Sequence, residues 1–404
     1  MTRGKLYLFV FIGLFFCVLV IIIGLNWLLG ERGLGSAAVV RQASAWQQVT
    51  QGVTYSPPVT HARAFKAHRL ADRAVEVNTL VLGASSLMGI TQAMFPQTMR
   101  IYNFALTANP TAAIAGEAEF IERQYGNRIR TVLIGLDWVI GMIYHAGGVQ
   151  AVDLTPSATV ANYGAGSVSL QRKLADALSS PKVISLGNAL HAILKLPDPA
   201  TSFRQLFFDG ASAEYRCADG SLARDFDVIK RGICLGFRHD GSWTFADEMH
   251  LNKARAQLLT RAAAAPSSKF SKFLCETQGE PNHEVLLRLG KFASRFARQG
   301  GEVVFMLPPL IPDMESEMLK VESSRRCLER TKAALDTWAR ENGVTIIDAA
   351  ASEFFDCKAG EFLDENHAWP ECHARILSRY WRHKSQQRIQ PGLYRPDMHL
   401  PPAG

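Results

Sequence analysis

The sequence predicts an α/β protein with a mostly parallel β-sheet, preceded by one N-terminal transmembrane helix. Short runs rich in Leu and Val, such as 78–82 and 302–307, alternate with helical stretches over short connections. This rhythm is typical of parallel strands that are buried on both faces. An apolar run over 6–29, interrupted only by Asn26, is long enough to cross a bilayer. Apolar residues make up 48% of the 404 residues and charged residues 20%, which indicates a globular chain.

The N-terminal apolar run is flanked by charges that predict its orientation. Arg3 and Lys5 precede it, which places the N-terminus in the cytoplasm and the rest of the chain across the membrane. Glu31 and Arg32 follow it, and the small-residue run Gly-Ser-Ala-Ala comes later, at 35–38. We therefore expect a retained anchor, although cleavage of a signal peptide stays open. The net charge of +7 comes without a basic run interleaved with aromatic residues, so no nucleic-acid partner is expected.

Four regions follow from this pattern. Residues 1–31 are the membrane anchor, and 32–76 form a juxtamembrane connector. An α/β domain occupies 77–385, with an insertion at about 145–280 where the α/β rhythm is lost. We expect the insertion to cover the strand ends. The tail, 386–404, is rich in Pro and without periodicity, so we expect it to be extended or disordered.

The elements of the α/β domain can be placed in order along the chain. Periodicity and turn residues predict strands at 78–82, 100–105, 130–137, 302–307 and 344–348. The same signals predict helices at 61–75, 112–125, 283–299, 313–342 and 371–383, the fourth possibly with a break. In the helix over 112–125, Thr111 is the expected cap and Gly126 the expected end.

A turn with one glycine and two serines follows the first predicted strand. Gly83 allows a tight turn and a close approach of the backbone. Ser85 and Ser86 then lie at the C-terminal edge of the sheet, where open α/β folds bind their ligands. Either serine is a candidate nucleophile, and we favour Ser85 because it comes two residues after the turn glycine. A serine in this place is also a common turn or helix N-cap residue.

The candidate base lies near the C-terminus, in the loop after the last predicted strand. Asp364 and His367 are three residues apart, so one loop can present both side chains together. In acyl transfer, His367 would accept the proton of Ser85, and Asp364 would orient the imidazole and stabilise its charge. The alternative is that Asp364 caps the following helix and that His367 is a surface loop residue.

Acyl transfer also needs donors for the developing oxyanion. The backbone N–H of Ser85 is one candidate. The loop at the end of the second predicted strand offers Ala108 and Asn109 as a second, and Asp137 ends the third predicted strand at the same edge. Asp137 is alternatively an N-cap for the segment after it.

Cysteines and histidines allow further sites that the sequence leaves open. The six cysteines after the apolar run, which form three disulfides or remain buried thiols, are Cys217, Cys234, Cys275, Cys327, Cys357 and Cys372. Cys217 with Cys234, and Cys357 with Cys372, are the nearest sensible pairs. His239, Asp240, Asp247 and His250 lie in the insertion, but their spacing does not place them on one face. No C-x-x-C pair is present, and neither a metal nor a cofactor is expected.

These blocks resemble the SGNH/GDSL hydrolase superfamily, and in particular the membrane-anchored periplasmic proteins of polysaccharide O-acetylation, such as those of alginate. The resemblance covers 77–137 and 302–373. Gly83-Ala84-Ser85 stands where the family has Gly-Asp-Ser, and Asp364-Glu-Asn-His367 matches its D-x-x-H. Residues 106–109 stand where a family glycine donates its N–H. Gly135-Leu-Asp137 stands where many members have Gly-x-Asn, so an acceptor replaces a donor of the oxyanion hole.

The resemblance implies a three-layer α/β/α domain in the periplasm, held by a single-pass anchor in the inner membrane. It implies transfer of an acyl group, acetyl above all, to or from an exported polysaccharide through an acyl-Ser85 intermediate. It also implies a membrane-bound O-acyltransferase as the partner that supplies acyl groups. Three alternatives stay open: an esterase, a protein like those that transfer D-alanyl groups to teichoic acids, and a non-catalytic polysaccharide-binding or assembly component, which Asp137 favours.

Overall fold

A computed structural model describes residues 3–31, 37–54, 62–107, 109–137, 214–224, 234–244 and 251–396, with the single positions 152, 154 and 194. Two compact units are present, residues 1–69 with 154–239 and residues 70–153 with 240–404. The strands are β1 (Val53–Thr54), β2 (Thr79–Leu82), β3 (Ile101–Asn103), β4 (Thr131–Gly135), β5 (Glu214–Arg216), β6 (Leu222–Arg224), β7 (Glu302–Leu307), β8 (Thr345–Asp348) and β9 (Gly392–Tyr394). The helices are α1 (Arg3–Glu31), α2 (Ala37–Thr50), α3 (Ala62–Arg73), α4 (Thr111–Tyr125), α5 (Lys253–Ala264), α6 (Lys269–Glu276), α7 (His283–Arg298), α8 (Met314–Leu319), α9 (Glu322–Glu341) and α10 (Pro370–Ser385).

Helix α1 is the predicted apolar helix. Its segment Tyr7–Gly24 has a mean hydropathy of 3.0 and is not buried against the protein. The helix is long and apolar enough to span a membrane, and a signal sequence near the N-terminus would have the same properties.

The first unit contains a small sheet of order β1-β6-β5. Strand β1 runs parallel to β6, and β5 pairs with β6 in antiparallel register. Thr54 also exchanges backbone hydrogen bonds with Phe237, at 3.0 and 2.8 Å. The predicted connector is therefore not a separate linker, because β1 forms a sheet with the predicted insertion. A two-residue strand is too short to give a period-2 signal.

The second unit is built on a six-stranded sheet of order β3-β2-β4-β7-β8-β9. Every pairing in it is parallel, so the predicted mostly parallel sheet is confirmed. The chain adds β3 on one side of β2 and then crosses back to add β4 on the other. This reversal creates a topological switch point between β2 and β4, where doubly wound sheets bind ligands outside the carboxyl ends of their strands.

The strands beside the switch point are short and apolar because they lie in the core. Every residue of β2 and β4 is buried. Helix α7 packs on α4 through an apolar face that includes Leu289, Phe292 and Phe296, at the spacing of one helical stripe. Salt bridges from α7 to α4, at 2.6 and 2.7 Å, border this contact. Strands β2 and β4 themselves pair directly in parallel register.

Two predictions about element ends need correction, and one alternative that was left open is resolved. Helix α4 begins at Thr111 itself, with Pro110 at the N-cap position and no side-chain cap. The break that the sequence allows in the helix predicted over 313–342 is present, because this segment forms two helices, α8 and α9, separated by Lys320 and Val321. The tail predicted from 386 onwards contributes β9, a buried strand paired with β8, so the α/β domain does not end at 385. The prediction for 397–404 lies outside the described residues.

Candidate active site

The loop that contains the predicted nucleophile, here called the nucleophile loop and formed by residues 83–90, leaves β2 at the switch point. Gly83 and Ala84 lead into a 3-10 turn over Ser85–Leu87, and the side chain of Leu87 fills the space between the ends of β2 and β4. A Cβ atom on Gly83 would lie 2.8 Å from Leu87 Cδ1, and one on Gly135 would lie 2.5 Å from it. Both glycines are therefore needed for this close packing. The turn holds Ser85 partly exposed at the edge of the sheet and Ser86 buried.

Asn103 holds the chain directly after the turn. Its amide donates hydrogen bonds to the carbonyl oxygens of Leu87 and Ile90, each at 2.9 Å. Its Oδ1 accepts the N–H of Ala105 at 2.9 Å. Asn103 is thus the strand-end structural residue that its position in β3 suggests.

The D-x-x-H loop is a tight turn organised by one carboxylate. Asp364 Oδ1 accepts the backbone N–H groups of Asn366 at 3.0 Å and of His367 at 2.9 Å. The N–H of Leu363 donates to the carbonyl of His367 at 2.9 Å. These bonds fix the backbone on both sides of the two side chains, so Asp364 does not cap the following helix.

The three predicted catalytic side chains form one hydrogen-bonded chain. His367 Nδ1 lies 2.7 Å from Asp364 Oδ2, and His367 Nε2 lies 2.8 Å from Ser85 Oγ. An ionised carboxylate can only accept, so Nδ1 carries the proton and Nε2 is left to accept from the serine hydroxyl. This geometry suits proton transfer from Ser85 to His367 during nucleophilic attack.

The pKa shifts of His367 and Asp364 agree with an ionised Asp364 that accepts the Nδ1 proton of His367. Burial by itself would lower the pKa of His367, but the hydrogen bond and charge of Asp364, with smaller contributions from Asp137 and Glu365, raise it above its ordinary value. Burial would raise the pKa of Asp364, but His367 and two backbone N–H groups hold it below its usual range. Asp364 thus stays ionised over the pH range in which His367 titrates.

The predicted oxyanion residues are placed differently from one another. Asn109 is buried, and its amide donates to Gly83 O at 3.4 Å and to Glu117 Oε2 at 3.0 Å, which ties its loop to the end of β2. Ala108 lies outside the described residues. Asp137 is 1% exposed, and its Oδ2 accepts the hydroxyl of Ser86 at 3.2 Å. The roles of these residues toward an oxyanion stay predictions.

A segment of the predicted insertion also supports the nucleophile loop, a role that was not predicted from the sequence. The N–H of Gln92 donates to Asp240 Oδ2 at 2.7 Å, and the N–H of Trp243 donates to the carbonyl of Met88 at 2.7 Å. Asp240 further accepts from the N–H and hydroxyl of Ser242. The run Asp-Gly-Ser is a turn signal that could have identified this structural use. Within the described ranges no three His, Cys, Asp or Glu side chains could hold a metal ion, and Asp247 and His250 fall outside those ranges.

All six cysteines after α1 are paired, so the disulfide alternative is the one found. The bonds are Cys217–Cys234, Cys275–Cys327 and Cys357–Cys372. The last one closes the segment that contains Asp364 and His367, and its second cysteine lies in the first turns of α10.

We expect the double substitution Cys357→Ser/Cys372→Ser to destabilise the protein by about 3 kcal/mol, the loop-closure value for a bond spanning about 15 residues. It should also lower the rate at which a fluorophosphonate labels Ser85 at temperatures where the protein remains folded, because the D-x-x-H loop becomes less restricted. The free energy of unfolding from urea titrations and the rate of Ser85 labelling measure the two effects. The matched control is Cys275→Ser/Cys327→Ser, which opens a bond between α6 and α9 and should lower stability without changing that rate. Equal losses of the labelling rate in the two double variants would contradict a specific effect of the Cys357–Cys372 bond on the D-x-x-H loop.

Comparison of the chain with protein-family models, with curated proteins and with solved structures found no match.

Proposed function

We propose that this chain is a serine-dependent acyl-transfer enzyme with an SGNH-like three-layer α/β/α domain on an N-terminal membrane anchor. The observation that carries the proposal is the hydrogen-bonded chain from Asp364 through His367 to Ser85 at the switch point of the sheet. Residues from the two ends of the sequence meet there in the geometry that acyl transfer requires.

Within this class, the best-supported particular function is O-acetyl transfer to an exported polysaccharide. Ser85 Oγ attacks the carbonyl carbon of the acetyl donor while its proton passes to His367 Nε2. The donor's leaving group departs with that proton, and acetyl-Ser85 remains. A sugar hydroxyl then loses its proton to His367 and attacks the acetyl carbon, and Ser85 recovers its proton as the ester to the enzyme breaks. No cofactor enters these steps.

The location of the protein belongs to the same proposal. Disulfides form in oxidising compartments such as the periplasm, and all three bonds lie after α1. Arg3 and Lys5 before the apolar segment favour a cytoplasmic N-terminus in the inner membrane. A domain held at the outer surface of that membrane could receive acyl groups from a membrane-bound O-acyltransferase, the partner that the resemblance implies.

The test is to trap the acyl-enzyme. The full chain in detergent is treated with p-nitrophenyl acetate, and intact mass is measured for the native protein, Ser85→Ala and His367→Ala. We expect one acetyl adduct in the native protein and none in either variant. Ser378→Ala and His283→Ala are matched controls, since both residues are exposed on helices, and they should keep the adduct. An adduct that persists in Ser85→Ala would overturn the proposal.

The same preparation separates the rival functions. Adding an oligosaccharide acceptor to the acetyl-enzyme should give an acetylated sugar for a transferase and only acetate for an esterase. A non-catalytic polysaccharide-binding component is the second candidate, because Asp137 presents a carboxylate where an oxyanion donor is expected. Neither adduct nor turnover in the native protein, even with oligosaccharide present, would favour that candidate.

A further inference from the structure

The D-x-x-H turn is the tip of a short hairpin formed by residues 361–369, here called the base hairpin. Three backbone pairs join its two arms: Glu361 with Trp369, Phe362 with Ala368, and Leu363 with His367. Asp364 closes the tip by accepting two further backbone N–H groups. These bonds set the shape of the base hairpin but not its distance from Ser85. That distance must be set by contacts between the base hairpin and the rest of the fold.

Helix α10 contacts segments on both sides of the candidate site. On the nucleophile side, it packs against the 3-10 turn over Gln92–Met94, which follows the nucleophile loop. The buried rings of Phe95 and Trp381 are part of this contact, with their centroids 5.9 Å apart. On the other side, Arg375 of the same helix binds the base hairpin. Helix α10 is therefore a common support of the nucleophile and the base.

The contact of Arg375 is a bidentate ion pair with Glu361, the first residue of the base hairpin. Its two terminal nitrogens donate to different carboxylate oxygens, a geometry that restricts orientation as well as distance. Glu361 Oε2 also accepts the N–H of Lys358 at 3.0 Å, and the side chain is 14% exposed. Burial by itself would raise the pKa of Glu361, but the hydrogen bonds from Arg375 and Lys358 lower it below its usual range. Glu361 is therefore ionised at neutral pH.

The disulfide Cys357–Cys372 also joins this segment to α10, but at other points of the chain. Cys357 precedes the base hairpin, and residues 358–360 between them have rotatable backbone bonds. The ion pair acts on Glu361, which begins the arm that carries Asp364. Along the chain, it is closer to the catalytic turn than the disulfide is.

We propose that Arg375 is a positioning residue, which holds the base hairpin through Glu361 so that His367 Nε2 stays within hydrogen-bond distance of Ser85 Oγ. The role deepens the proposed acyl transfer and rests on it for its effect on rate. Without the guanidinium, Glu361 is a largely buried carboxylate that has lost its cation, and it turns toward water. The base hairpin then shifts as a unit, with the bond between Asp364 and His367 intact.

Arg375→Gln should slow the attack of Ser85 without weakening the binding of a reagent. A misplacement of about 1 Å can cost about 100-fold in rate, so we expect the rate constant for inactivation by a fluorophosphonate to fall by about 10- to 100-fold. In this reaction Ser85 Oγ bonds to phosphorus, fluoride leaves, and the serine proton passes to His367. The half-saturating concentration of the reagent should stay unchanged, because the nucleophile loop keeps its place.

The experiment uses the full chain in detergent and has two readouts. Intact mass follows the labelling of Ser85 at temperatures where each variant is folded. Ring-nitrogen NMR of labelled histidine, with the imidazole neutral, follows His367, whose signals His367→Asn identifies by their loss. The Nε2 shift reports the bond to Ser85 Oγ, and Ser85→Ala gives its value without that bond. In Arg375→Gln this shift should move toward the Ser85→Ala value, while the Nδ1–H signal stays.

Arg379→Gln is the matched control, because Arg379 lies one turn later on α10 and is similarly exposed. It binds Asp356 and the carbonyl of Phe354, which both precede the base hairpin, so its loss should leave the labelling rate and the Nε2 shift unchanged. Arg375→Lys keeps the charge and should restore part of the rate. Glu361→Gln should slow labelling as Arg375→Gln does, and the double variant should be no slower than either.

Each result decides a stated point. A native labelling rate in folded Arg375→Gln, or an equal loss in Arg379→Gln, would overturn the proposal. Loss of the Nδ1–H signal in Arg375→Gln would also overturn it, since the base hairpin would then have lost its shape rather than its position. If the native protein is not labelled but the Nε2 shift responds to Arg375→Gln, the positioning role stands and acyl transfer is rejected. If Arg375→Gln does not fold, Arg375→Lys and Glu361→Gln decide the question by the same measurements.

Discussion

Asp364→Asn is expected to lower kcat/KM for an activated acetyl ester by about four orders of magnitude, as the same exchange does in serine enzymes with this arrangement. In the native protein, Asp364 Oδ2 accepts the Nδ1–H of His367 at 2.7 Å. An asparagine amide donates there, so His367 turns to the tautomer with its proton on Nε2. That nitrogen then faces Ser85 Oγ with a proton and cannot act as a base.

We expect Asp364→Asn to remain folded, so a loss of activity would not be caused by unfolding. The backbone N–H groups of Asn366 and His367 donate to Oδ1 of Asp364, and an asparagine Oδ1 can accept both. Asp313→Asn is a matched control, because Asp313 is exposed and has φ of 67°, a conformation that asparagine tolerates. Steady-state kinetics and the unfolding midpoint should both be measured. A loss of less than tenfold in a folded Asp364→Asn would indicate that His367 is not the base.

The sequence predicted the position of this site because strand-end logic applies to it directly. Ser85 follows a strand rich in Leu and Val whose residues are all buried, and the spacing of Asp364 and His367 lets one loop carry both side chains. The contacts that support the nucleophile loop could not be predicted from the sequence. Asn103 and Asp240 hold the nucleophile loop through backbone groups, and such bonds depend on tertiary proximity rather than on any local pattern.

The end of the fold was missed for a related reason. Strand β9 has three residues and lies between Pro391 and Pro396, so it has neither the length nor the alternation of a recognisable strand. Its position is stabilised by partners far away in the sequence. The N–H of Leu393 donates to Asp336 at 2.8 Å, and Arg395 reaches two buried carboxylates beyond the strand. Local propensity carries no information about such contacts.

Asp348→Asn should destabilise the protein by about 3 to 5 kcal/mol at neutral pH, the range for removing one partner of a buried ion pair. Asp348 is 1% exposed at the end of β8. Lys332 lies 2.9 Å and Arg395 2.7 Å from its Oδ2, and Glu315 contacts the same two cations. The exchange keeps the side-chain volume but leaves two positive charges with one carboxylate.

The pH dependence of the stability lost in Asp348→Asn distinguishes the loss of the carboxylate charge from a change in packing. Burial by itself would raise the pKa of Asp348, but Lys332 and Arg395 lower it below its ordinary value. A carboxyl whose pKa is lowered by folding contributes stability above its unfolded-state pKa and loses it as pH falls through the folded value. The difference in unfolding free energy between native protein and Asp348→Asn should therefore shrink in acid, measured by urea titration, while Asp313→Asn stays near the native value throughout.

A double-mutant cycle with Arg395→Gln tests whether the ion cluster is what holds the C-terminal strand. Because Arg395 and Asp348 share a contact, the double variant should lose less stability than the two single variants added together. Arg388 is an exposed arginine between α10 and β9. The stability changes of Arg388→Gln and Asp348→Asn should therefore be additive. If the stability losses of Arg395→Gln and Asp348→Asn are additive, β9 is held by its backbone pairing with β8 alone. Coupled losses of stability would mean that Arg395, ten positions beyond helix α10, stabilises the end of β8, the strand that precedes the loop with Asp364 and His367.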